Sequence, residues 1–323
     1  MLVPGKMLPG VYGATPPKEN AANLRTKGFE LAVSWYDQFN LGNKPFSYNL
    51  SFGLSDSKSV ITKFDNPMKE FAKSSYYEGM TIGEIWGYKI DGLFQTDEEA
   101  AAYSKAVDNS YVCKNIFVTA VGDYKAGDPR FVDIDGSGRI DDGEKTADNR
   151  GDMVIIGNKE PRYLYNANIG LSWNGIDISA FFQGVGRQHR YPDGNGFARP
   201  YSSFVPANFL DNVWSEENPN AYLPKIRGYA AQGDRSLGHK NDRYLQNIAY
   251  CRLKNLTVGY TLPSEWTSKI KIDRLRVYFS GDNLFTWTKL KSDYIDPEQI
   301  TVNSDARTYP FSKVFSFGLD ITF

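Results

Sequence analysis

The stretch Lys313 to Phe323, K-V-F-S-F-G-L-D-I-T-F, alternates strictly between two kinds of side chain. Phe315, Phe317, Leu319, Ile321 and Phe323 fall on one face. Ser316, Gly318, Asp320 and Thr322 fall on the other. A period of two is the signature of a β-strand. An apolar face backed by small and polar residues suits a wall between lipid and a wet lumen. A strand of a soluble two-sheet sandwich reads the same way, so the rest of the chain has to separate the two.

The same period recurs. Phe29, Leu31, Val33 and Trp35 alternate with Glu30, Ala32, Ser34 and Tyr36; Phe46, Tyr48, Leu50, Phe52 and Leu54 alternate with Ser47, Asn49, Ser51, Gly53 and Ser55. The turn residues of Asn40–Pro45 join these two into a hairpin. Tyr163, Tyr165, Ala167, Ile169, Leu171 and Trp173 line another strand. Asn174-Gly175 then signals a tight hairpin, because both positions tolerate positive φ, and a strand from Ile176 through Phe182 follows. Tyr244–Tyr260, Leu275–Trp287 and the final stretch complete about seven strands. A helix is predicted over Asp97–Val107, capped by Thr96 or Asp97, with Glu98 and Glu99 in its first turn.

The connections are of two lengths, and they alternate. Short ones lie at Asn40–Pro45, Asn174-Gly175 and Leu262–Asp273. Long ones lie at about 57–162, 186–243 and 289–310. Outer-membrane barrels have short turns at one rim and long loops at the other, whereas a sandwich has no reason to gather its long loops. The fold class expected is therefore all-β: antiparallel strands of a large membrane barrel. The chain has 323 residues, with 21 Tyr, 20 Phe and 6 Trp, which suits aromatic girdles or a sugar-binding surface. Net charge of −1 points to no nucleic-acid partner. No apolar run approaches the ~20 residues of a membrane helix. The start has no apolar core of signal-peptide length. The expectation is thus either a cytoplasmic chain or one whose true beginning is missing. An odd number of strands favours the second, since single-chain bacterial barrels are even.

Several stretches together resemble SusC/RagA-type TonB-linked outer-membrane transporters. They are E-I-W-G-Y-K-I-D-G-L-F-Q at 84–95, D-P-R-F-V-D-I-D-G-S-G-R-I-D-D-G-E at 128–144 and I-I-G-N-K-E-P-R-Y at 155–163. Further on come D-I-S-A-F-F-Q-G-V-G at 177–186, L-K-N-L-T-V-G-Y-T-L-P at 253–263, L-R-V-Y-F-S-G-D-N-L-F-T-W-T at 275–288 and I-D-P-E at 295–298. The resemblance covers essentially the whole chain and implies that residues 1–323 are the carboxy-terminal segment of a barrel of about 22 strands. It further implies a plug domain outside this chain, energy from TonB through the missing amino-terminal part, a SusD-like surface lipoprotein as lid, and a glycan or peptide substrate.

One stretch carries chemistry of its own. Asp133, Asp135 and Ser137 sit at positions 1, 3 and 5 of a twelve-residue calcium loop, with Gly138 at the turn. Arg139 offers its carbonyl at 7, Asp141 lies at 9 and Glu144 at 12. Hard oxygen ligands at these offsets predict a structural calcium ion that stiffens an extracellular loop; a solvated acidic turn is the plainer reading. Tyr191, Phe197, Tyr201, Phe204 and Trp214 lie in the second long loop beside Arg187, Arg190, Asp193 and Asn195. Rings among amides and charges suit glycan capture or docking of a lid protein, and equally suit a loop packed on itself. Carboxylate pairs such as Asp141/Asp142 and Glu216/Glu217 suggest solvated loops ahead of a glycosidase pair. His189 and His239 lack neighbouring ligands at metal spacing. No phosphate loop or nucleophile elbow is present, so no catalytic residues and no enzyme activity are expected. Cys113 and Cys251 match no metal or redox spacing and either pair or stay free.

Overall fold

The computed structural model describes residues 2–4, 18–20, 22–66, 68–71, 76–113, 124–192, 207–226, 237–291, 295–300 and 309–323. Seven long strands dominate it: β1 (Ala22–Leu41), β2 (Lys44–Phe64), β3 (Arg162–Trp173), β4 (Ile176–Arg187), β5 (Tyr250–Thr261), β6 (Arg274–Thr288) and β7 (Val314–Thr322). They form one sheet in chain order, every neighbouring pair antiparallel.

Two of the three short connections are two-residue turns. Gly42 and Asn43 have φ of 59° and 61°, and Asn174 and Gly175 have 48° and 84°. Both central residues in the left-handed region match the right-handed twist of the flanking strands. The third, between β5 and β6, holds the short helix Ser264–Thr267 and a 3-10 turn, Ser268–Ile270. The alternating order places these three connections at one rim and the long loops at the other, as the sequence predicts.

Register fixes the two faces. Phe317 lies opposite Phe279, which lies opposite Val258, which lies opposite Ile178. Leu171 and Tyr48 continue that row. Among the described residues nothing covers this face: Trp35 is 60% exposed and Phe317 83%. Keeping a large apolar side chain in water forgoes ~1.5–3 kcal/mol each, so a face with more than ten of them needs an apolar neighbour. Near the short-turn rim its rings cluster, Phe39 with Phe46 at 5.1 Å and Phe46 with Tyr48 at 6.0 Å between centroids. Trp35 Nε1 donates to the Tyr48 hydroxyl at 3.2 Å and Trp173 Nε1 to the Leu41 carbonyl at 3.1 Å. Rings with a satisfied polar handle are those that suit a membrane interface.

The opposite face is polar. Asn168 donates to Ser51 at 3.2 Å, Asn255 to Asp282 at 2.8 Å, and Thr257 and Ser280 share a bond of 3.2 Å. Near the short-turn rim Arg276 bridges Asp177 at 2.6 Å and Asp320 at 3.0 Å, joining β4, β6 and β7 across β5.

Three expectations change. β2 runs to Phe64, so the first long loop begins near 65 and not 57. Its polar end, Ser55–Phe64, has a weak alternation, but pairing with β1 along almost its full length satisfies the backbone. At ~3.3 Å per residue, strands of 20 and 21 residues outreach the ~25 Å apolar band of a barrel and project beyond it. The strand expected from Tyr244 begins at Tyr250. Upstream, Gln246–Asn247 pairs with His189–Arg190, and Tyr244 and Ile248 are buried in loop cores. The first long loop is also more than irregular chain. Tyr88, Phe94, Val112, Tyr124, Phe131 and Ile140 form a buried core beneath α1 (Asp97–Ala106), whose Ala100 joins it.

Candidate metal centre

The acidic segment is positioned by that loop core. Thr96 caps α1, its hydroxyl accepting from Glu99 N at 3.1 Å, while Glu99 reaches back to Gln95 N at 2.7 Å. The first bond satisfies an amide that helix geometry leaves without a partner, and the second ties the residue before the cap to the first turn. At the far end of α1, Asp108 N donates to the Gly138 carbonyl and Ile140 N to the Asp108 carbonyl, at 2.8 and 2.9 Å. Ile140 is fully buried and pins the segment to the core. Gly136 and Gly138, with φ of 72° and 76°, let the chain double back.

The turn wraps around carboxylates. Asp133 Oδ1 accepts from Gly136 N at 2.8 Å and Ser137 N at 3.1 Å, and its Oδ2 accepts from Gly138 N at 2.8 Å. Asp135 accepts from Ser137 N at 2.9 Å. The Ser137 hydroxyl donates to the Arg139 carbonyl at 3.0 Å, so these two predicted oxygens lie side by side. Asp141 Oδ1 accepts from Gly143 N at 2.8 Å, and its Oδ2 lies 3.5 Å from Arg139 Nε.

The third carboxylate of the group is one that sequence offsets miss. Oxygens of Asp133, Asp135 and Asp152 lie within 4.8 Å of one another. Asp152 is fully buried. It accepts from Ile134 N at 2.6 Å and Asp141 N at 2.9 Å, so it holds both ends of the turn. Burial raises its pKa, and backbone amides oppose that shift. Glu144 is exposed, and both Glu144 and Asp141 stand outside the group. The chain inserts Lys145–Gly151 before returning, and Gly143 and Gly151 pack so closely that a Cβ on Gly151 meets Gly143 N at 2.6 Å. Aspartates recur often enough here that no spacing rule selects Asp152. Calcium–oxygen distances of ~2.3–2.6 Å put two ligands of one ion at most ~5 Å apart, so the three carboxylates fit a hard cation, with Ser137, Arg139 and Asp141 nearby.

The loop aromatics divide. Tyr191 is buried with Leu223, Leu237 and Tyr244, and Trp214 with Leu93 and Ala221. The Lys240 ammonium lies 5.9 Å from the Tyr191 ring and that of Lys225 5.7 Å from Trp214. Both rings therefore serve the packing of the loops. Phe197, Tyr201 and Phe204, with Asp193 and Asn195, lie outside the described residues. His189 Nδ1 accepts from Asn158 N at 3.4 Å, and burial lowers its pKa. His239 lies against the rings of Tyr88 and Tyr111. Cys113 and Cys251 are not bonded to each other.

A second anchor holds the third long loop to the inner wall. Arg252 of β5, 1% exposed, donates to Asp296 at 2.6 Å and Glu298 at 2.7 Å, and Glu298 also meets Lys254 at 2.8 Å. Arg252 lies between the rings of Tyr250 and Phe311, at 5.6 and 5.1 Å. The 295–298 stretch thus works as a clasp on the wall.

A sheet with one apolar face left uncovered by the described residues, one polar face and its long loops at one rim is the wall of a membrane β-barrel. No protein-family model matches the chain. It is 26% identical to TonB-dependent receptor P3 of Formosa agariphila over 98% of its own length and 30% of that protein's. It is 24% identical to TonB-dependent receptor SusC of Bacteroides thetaiotaomicron over 94% and 27%. It superposes on the solved RagAB peptide transporter with TM-score 0.61 and 18% identity, over 100% of this chain and 32% of that one, a likeness of fold. The chain is therefore a relative of the SusC/RagA-type TonB-dependent receptors, and it spans about a third of their length.

Proposed function

We propose that this chain is the carboxy-terminal wall and loop layer of a TonB-dependent outer-membrane transporter. It acts with a plug domain and a TonB connection supplied by the rest of the receptor. A SusD-like lipoprotein covers the loop rim. The cargo is a glycan or another oligomeric nutrient such as a peptide, and the chain does no chemistry on it. The observation carrying this reading is the end-to-end match to TonB-dependent receptors of a sheet whose apolar face is uncovered. A soluble carbohydrate-binding sandwich needs a second sheet on that face, and none covers it among the described residues. The test is uptake of labelled oligosaccharides and peptides by cells with and without the intact protein. The expected result is import that needs this protein, its neighbouring lipoprotein and TonB. A protein recovered as a soluble, carbohydrate-binding species overturns the reading.

Within the loop layer, we propose that Asp133, Asp135 and Asp152 hold one structural calcium ion, with Ser137, the Arg139 carbonyl and Asp141 completing the shell. The ion ties the turn to the base of α1. Isothermal titration of calcium into the chelator-treated protein is expected to give one binding event, and flat heats beside a working control remove the ion. If the loop rings capture cargo, that role falls to Phe197, Tyr201 and Phe204, since Tyr191 and Trp214 are packed away.

A further inference from the structure

The third short connection is longer than a hairpin needs. Two glycine–asparagine turns close the other two strand pairs, whereas Leu262–Asp273 spends a whole helical turn. It is firmly held: Leu262 N donates to the Leu275 carbonyl at 2.9 Å, Ile272 N to the Thr267 carbonyl at 3.1 Å, and Asp273 N to the Thr322 carbonyl at 2.9 Å. Thr267 is buried against the strands. With that seat fixed, Trp266 and Ile270 are 59% and 63% exposed. An ordered segment that displays a Trp and an Ile, and buries neither, is built to meet something apolar.

We propose that this turn is a membrane anchor, with Trp266 and Ile270 seated in the phospholipid interface of the leaflet at the short-turn rim. The proposal rests on the barrel reading above. The apolar belt is continuous with the turn: Tyr260 opposite Val277 and Leu275 opposite Ile321 are the last rows of that face before it. The same rim carries Trp173 and the ring pair of Phe39 and Phe46. Lys269 and Lys271 flank Ile270, and their long stems let the ammonium groups rise to phosphate while the neighbouring apolar groups sink. Glu265, at the outer end of the helix, stays in water.

Nitroxide labels test this on the intact protein in vesicles of phosphatidylethanolamine and phosphatidylglycerol, with Cys113→Ser and Cys251→Ser as background. Labels go at Trp266→Cys, Ile270→Cys, Glu265→Cys and Phe317→Cys. Oxygen partitions into lipid and a nickel chelate into water. The expected result is an oxygen-to-nickel collision ratio at 266 and 270 that is several-fold above that at 265 and close to that at 317. Nickel-dominated collisions at 266 and 270, with oxygen-dominated collisions at 317, overturn the anchor and leave the barrel standing. Nickel-dominated collisions at 317 as well overturn the barrel reading and the anchor with it. All four positions are exposed, so labelling leaves the packing intact.

Discussion

Gly259 has no room for a side chain. A Cβ there meets Arg276 Nη2 at 2.5 Å and Asp177 Oδ1 at 2.6 Å, because the Arg276 side chain lies across β5 to reach β4. Gly259→Val is therefore expected to displace the bridge and destabilise by ~1–3 kcal/mol, in the range of overpacked sites, read from heat or urea unfolding of the intact protein in detergent. Arg252 is the sharper case. Arg252→Ala leaves Asp296 without its buried cation while Glu298 keeps Lys254, and losing one partner of a buried pair costs ~3–5 kcal/mol; Arg252→Lys is expected to recover part of it. The loss should appear as faster amide exchange over 295–300, with the β1–β2 pair unchanged. Neither role was legible in sequence, because partners such as Asp177 and Arg276 lie 99 positions apart. Alternation marked the face on which these side chains sit, and register alone brings them together.

At the level of the element, strands and turns were the readable part. A period of two locates all seven strands, and Asn174-Gly175 locates a hairpin to the residue. Gly175 has φ of 84°, and a Cβ there meets the Thr261 carbonyl at 2.5 Å. Gly175→Ala is expected to cost ~1–3 kcal/mol as backbone strain and crowding, visible as a lower unfolding midpoint, whereas Asn174→Gly should be nearly neutral. The loops are less legible, and for a physical reason. Their core residues, such as Tyr88, Tyr124 and Ile140, come from short irregular segments with no period to detect. The calcium-type offsets point to Asp133, Asp135 and Ser137 and, for the last position, to Glu144, because the twelve-residue spacing assumes no insertion; the fold instead sets Asp152 beside Asp133 and Asp135. That yields a separable expectation: Asp152→Asn abolishes the calcium heat, while Glu144→Gln leaves it.

For the molecule as a whole, two observations act together. The apolar stripe forbids water on one face, and the loop lengths assign a direction to the sheet. Both are visible in the sequence itself, which is why fold class is recoverable from it although ion pairs and the loop core are not. On the proposed function their joint consequence is sidedness: Glu98, on α1, is expected to face the cell exterior, and Lys44, beside the first tight turn, the interior of the envelope. The most direct check uses a membrane-impermeant maleimide on intact cells carrying Glu98→Cys or Lys44→Cys in the intact protein, with Cys113 and Cys251 replaced by Ser. Labelling is expected at 98 on intact cells, and at 44 only after the outer membrane is opened. Equal labelling of both on intact cells, or labelling at 44 alone, contradicts this sidedness.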